Sequence, residues 1–144
     1  AEARHEIMLE EYQKKIQIES RVLGDIAGNH IVPTAIAYQN TLIENVRGLK
    51  VVLEPDVFDK VAKEQLEMIK EISSRISVII AEKESMVNTR KELNLLEDMG
   101  EMARGYCERI IPFIEKIRYQ CDKLEMLVDD ELWPLPKYRE LLFN

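Results

Sequence analysis

Histidine is nearly missing from this 144-residue chain: only His5 and His30 occur. With two imidazoles, a Ser–His or Cys–His catalytic pair is barely available. The serines Ser20, Ser73, Ser74, Ser77 and Ser85 all fall in helical stretches, none at a nucleophile elbow. Glycine and proline are scarce too, five of each, about half the average usage. Few turns and long elements follow. No apolar run nears the 18 or more residues that a membrane helix needs. The densest, Ile76-Ser-Val-Ile-Ile-Ala81, is far too short. Positive charge is in deficit, with 20 Lys and Arg against 27 Asp and Glu, a net −7. An acidic chain without a basic cluster is a poor ligand for a phosphate backbone, so nucleic acid is not an expected partner, nor is a membrane. The N-terminus, Ala1-Glu-Ala-Arg-His-Glu6, has no apolar signal core and no initiator Met, which points to a fragment of something longer.

Cysteine is limited to Cys107 and Cys121. On one helix they stand about 21 Å apart, beyond the roughly 7 Å that a disulfide spans. Two free thiols fit a reducing cytoplasm.

What is present is helical periodicity. The first segment, about 1–47, carries Leu9, Tyr12, Ile16, Leu23, Ile26 and His30, then Ile31, Ala35, Tyr38, Leu42 and Val46. Pro33 interrupts it and should kink or break it near Gly28–Pro33. His30, on the apolar stripe beside that break, is expected to bond a freed backbone group through its ring. Gly24-x-x-x-Gly28 reads as a weak point in the helix. The second segment, 55–96, opens at Pro55-Asp56 and carries Phe58, Val61, Met68, Ile72, Ile79 and Met86. The third, 101–129, carries the cleanest stripe: Ala103, Tyr106, Ile110, Phe113, Ile117, Cys121, Leu124 and Val128, with a bend expected at Pro112. The breaks lie at Gly48–Pro55, Asp98-Met-Gly100 and Pro134/Pro136. The expected fold is all-α: a single domain, an antiparallel bundle of three to four long helices.

Chemistry is hard to find. Glu2-Ala-Arg-His5 has the Glu-x-x-His spacing of di-iron bundles, but a second copy is missing. Gly100-Glu-Met-Ala-Arg-Gly105 has the glycine spacing of a phosphate loop, but Tyr106 and Cys107 replace the Lys and Ser/Thr that grip phosphate. No catalytic, cofactor-binding or metal-binding residue is assigned. The exception to this blandness is the tail, 130–144. Trp133, Leu135, Tyr138, Arg139, Leu142 and Phe143 form an aromatic-aliphatic strip, read as a docking surface or as a cap on the bundle.

Three strings stand together in one order. Glu2-Ala-Arg-His-Glu-Ile-Met-Leu-Glu-Glu-Tyr12 opens the chain. Ile18-Glu-Ser-Arg-Val-Leu-Gly-Asp25 runs on to Asn29-His-Ile-Val-Pro-Thr-Ala-Ile-Ala-Tyr-Gln-Asn40. Asp129-Asp-Glu-Leu-Trp-Pro-Leu-Pro-Lys-Tyr-Arg-Glu-Leu-Leu-Phe143 closes it. Together they resemble the C-terminal helical region of type III glutamine synthetases. The resemblance implies a bacterial parent enzyme that joins ammonia to glutamate through an acyl phosphate, using ATP and Mg2+ or Mn2+ held in an upstream catalytic domain. It implies a dodecamer, with that catalytic domain, of the same or a neighbouring subunit, as partner. The fragment itself would then hold no cofactor and do no chemistry. The rival readings are a free-standing helical interaction module and a small metal-carrying bundle.

Overall fold

The structure, a computed structural model, describes residues 2–128. The helices are α1 (Glu2–Ile26), α2 (Val32–Val52), α3 (Pro55–Val61), α4 (Lys63–Leu93), α5 (Met99–Gly105) and α6 (Ile111–Leu127). The chain winds them into three rods. A π-helical turn, Ala27–Ile31, joins α1 to α2, and a second, Tyr106–Ile110, joins α5 to α6. Ala62, still near-helical at φ −88° and ψ −7°, links α3 to α4. Among the described residues there is no strand.

Side-chain pairs fix the direction of the rods. Gln39 on the first donates to the Ile69 carbonyl and the Ser73 hydroxyl, and Arg90 donates to Ser20, so the second rod runs antiparallel to the first. Arg75 donates to Gln120 and Arg109 pairs with Glu92, so the third reverses again. Arg118 closes the triangle on Glu19. The result is an up-down-up bundle, as the sequence predicts. Its core holds Ile16, Ala27, Ile31 and Ala35 from the first rod, Ile72, Ile79 and Met86 from the second, and Tyr106, Ile110, Ile117 and Leu124 from the third.

Each π turn ends two residues before a proline. Pro33 lacks the N–H that would bond the Asn29 carbonyl. The turn before it widens, and the Val32 N–H reaches back five residues to the Ala27 carbonyl. The Thr34 hydroxyl donates to the His30 carbonyl at 2.7 Å. Pro112 repeats the pattern, with the Ile111 N–H on the Tyr106 carbonyl. The break expected near Pro33 is therefore a change of winding, not a gap. It also corrects the reading of His30. The wide turn directs Ala27 and Ile31 inward and leaves His30 exposed. The hydrogen bond at the break involves its carbonyl, not its ring.

Segment boundaries shift as well. The first rod passes Gly48, which is exposed and has nothing within 4 Å of a β-carbon position, and runs to Val52. It stops where Leu53 and Glu54 turn extended, as the residue before a proline must. The second rod ends at Leu93 rather than 96. The third starts at Met99, where the Asp98 carboxylate caps the Gly100 N–H. It ends at Leu127 rather than 129.

Three glycines are packing sites. Gly24 and Gly28 lie against α4 beside Met86 and Lys83, so the Gly-x-x-x-Gly pair brings two helices close rather than weakening one. Gly105 lies under the buried Leu93, and a β-carbon there would overlap the Leu93 Cδ2. Gly105→Val is expected to cost about 1–3 kcal/mol by overpacking. A urea midpoint checks this, and Leu93→Ala in the same chain should recover part of the loss.

Candidate functional site

Two places carry more than packing. The first is a polar seam inside the bundle. Tyr106 is fully buried and donates to the Asn94 side-chain oxygen at 2.6 Å. Burial raises its pKa above 10.0, while the nearby Arg90 cation and the Asn94 bond pull the other way. Arg90 donates to the Ser20 hydroxyl at 3.3 Å, and Ser20 donates to the Gln17 carbonyl at 2.8 Å. Burial, with the Arg21 charge beside it, lowers the pKa of Arg90. Gln13, also buried, bonds Gln17. These groups satisfy one another and hold three rods in one register. They form no nucleophile–base pair.

The second is an apolar tip where α2 turns into α3. Val51 is 84% exposed and Val52 74%, and Val57 and Val61 are about half exposed. Among the described residues these are four large apolar side chains within eleven positions.

The open hollows hold no comparable chemistry. One of about 410 Å³ lies between α4 and α6, lined by Val78, Pro112, Tyr119 and Gln120. The Arg75 guanidinium lies 5.9 Å from the Tyr119 ring centre and Lys123 lies 5.5 Å from it. Another, of about 420 Å³, lies beside His5, Asp98 and Arg104. Among the described residues no three His, Cys, Asp or Glu side chains come together as a metal site. No described helix is long and apolar enough to cross a membrane.

Comparison with known proteins decides the family. The glutamine synthetase C-terminal domain model matches residues 1–50. Over 141 residues, 98% of the chain, the sequence is 49% identical to a glutamine synthetase of Bacteroides fragilis. The chain belongs to the glutamine synthetase C-terminal domain family.

Over 99% of its length this glutamine synthetase C-terminal domain is also 27% identical to a type-3 glutamine synthetase of Dictyostelium discoideum. It is 26% identical to a glutamine synthetase of Butyrivibrio fibrisolvens over a similar span. The chain covers about a fifth of each relative: 19%, 19% and 20%.

The docking strip read from the sequence, Trp133, Leu135, Tyr138, Arg139, Leu142 and Phe143, lies outside the described residues. The two thiols of the domain are free. Cys107 is exposed beside the Tyr12 hydroxyl, and the hydrogen bond between them raises the pKa of Tyr12. Cys121 is buried, and burial pushes its thiol up to about 12.

Sequence reasoning missed the valine tip. Val51 and Val52 stand next to a predicted break, and a loop position gives no reason to expect a continuing helix. The one available signal was four valines within eleven residues around Pro55.

Proposed function

We propose that this domain is a structural appendage of a glutamine synthetase, with a role in assembly and no chemistry of its own. The enzyme around it joins ammonia to glutamate with ATP and divalent metal ions, all held outside this chain. It works as a homo-oligomer in the cytoplasm, a dodecamer in the type III family that the sequence resembles. The observation that carries this reading is the relatedness over 98% of the chain to glutamine synthetases about five times as long. The structure supports it in a second way. Three rods braced by core packing and a polar seam present a bare valine tip, and such a tip needs an apolar partner. That partner is the catalytic domain of the same or an adjacent subunit.

The test is Val51→Glu with Val52→Glu in the full-length enzyme. Both side chains are exposed, so the domain itself should keep its helicity. Sedimentation should show smaller assemblies, with glutamine formation falling only as far as the assembly falls. Intact assemblies would remove the tip from the interface. Lost activity in intact assemblies would place the role in chemistry instead.

A further inference from the structure

The three rods are unequal. The third packs along α4 and α1 and reaches the Ala27–Ile31 turn, where α6 ends. The first continues as α2 for 21 residues, packed chiefly on α4. Past the end of α6, two helices stand where three stood before. The core line does not stop with it. Tyr38 and Leu42 pack on the core at their inner side, and Leu49 continues the same helical face at steps of 4 and 7. All three remain half-buried, as does Met68 across from them on α4. A pair of helices cannot close a row that a third rod closes elsewhere.

The chain itself supplies a candidate to cover it. At Val128, nearly fully buried, the backbone leaves the helix in an extended conformation, φ −83° and ψ 144°. Sixteen residues follow. Pro134 and Pro136 cannot continue α6 and favour an extended course. In an extended course Trp133 and Leu135 share one face. The row from Tyr38 to Leu49 is about 17 Å long, and sixteen residues span about 24 Å as helix and about 53 Å extended, so reach is ample.

We propose that residues 129–144 lie along the half-buried row formed by Tyr38, Leu42 and Leu49 of α2 and Met68 of α4, replacing the third rod where α6 stops. The strip is then an internal strut that stiffens the two-helix arm. Its apolar side chains serve this chain rather than a neighbouring subunit. This does not depend on what the valine tip touches.

Trp133 is the only tryptophan, so its fluorescence reads the strip directly. In the 144-residue chain its emission should be blue-shifted. Acrylamide should quench it severalfold less than in the urea-unfolded chain. Leu49→Asp, far out on the arm, should raise quenching severalfold toward the unfolded value, with helicity by circular dichroism unchanged. Met68→Asp gives a second reading from the opposite helix in case the first variant loses helicity. The proposal fails if Trp133 is quenched as freely in the native chain as in urea. It also fails if protection is present but neither groove variant changes it. Protection that appears only in the full-length assembly would give the strip to a partner domain and equally overturn the proposal.

Discussion

Tyr106→Ala lowers the unfolding free energy by about 3–5 kcal/mol, the range for deleting a buried aromatic ring. Among the described residues Tyr106 is the largest fully buried side chain, and it sits in the second π turn, where α1, α4 and the third rod meet. Removing the ring leaves a cavity that three braced rods cannot easily collapse. The hydroxyl is a smaller matter. It donates to Asn94, an exposed residue whose oxygen can take a water instead. Tyr106→Phe should therefore cost only about 0.5–1.5 kcal/mol. Urea unfolding of both variants checks the pair. Equal losses would mean that the seam, not the ring volume, holds the turn.

Alkaline solution removes on the order of 4 kcal/mol through Cys121. In the unfolded chain its thiol titrates near 9.0, while in the fold burial, with a smaller push from the Asp122 carboxylate, raises it to about 12. The native state holds the proton more tightly. The contribution is complete below about pH 9 and is lost as pH climbs toward about 12, at about 1.4 kcal/mol per pKa unit. Tyr106 acts in the same direction, since its folded pKa also lies above its unfolded value of 10.0. Urea midpoints measured from neutral to strongly alkaline pH should fall steadily. Cys121→Ala should flatten much of that slope at a fixed cost for the lost sulfur. A slope insensitive to Cys121 would show that the thiol has access to water.

The third rod was legible almost residue by residue. Ala103, Tyr106, Ile110, Ile117, Cys121, Leu124 and Val128 all came out buried, because both ends of the second π turn, Tyr106 and Ile110, face the core and steps of three and four keep to that face on either side; only Phe113 gave way, to its neighbour Ile114. The first rod was less legible for a stated physical reason. A π turn adds a residue per winding, so counting through it by 3.6 assigned His30 to the inside. Its actual inward neighbours, Ala27 and Ile31, flank the position by three and one. Gly48 looked like a stop because glycine often ends helices, but here extended Leu53 and Glu54 ahead of Pro55 set the end. The partner pairs Arg75–Gln120 and Arg90–Ser20 join positions 45 and 70 residues apart, which no local pattern reveals. For the site, composition assigned no catalytic or metal-binding residue. It could not reveal the valine tip, which exists only because α2 outruns the third rod.

That inequality of length has a mechanical meaning. From the first π turn to Val52, α2 is a lever of 21 residues, about 31 Å long. A tilt of about 10° at its root carries the valine tip through about 5 Å, the pitch of one helical turn. The fulcrum is the widened winding ahead of Pro33, the place in the rod where regular bonding is already relaxed. The torsion of that one winding therefore sets where the valine tip stands relative to the three-rod base, and a difference too small to notice at Pro33 becomes a whole-residue offset at the far end.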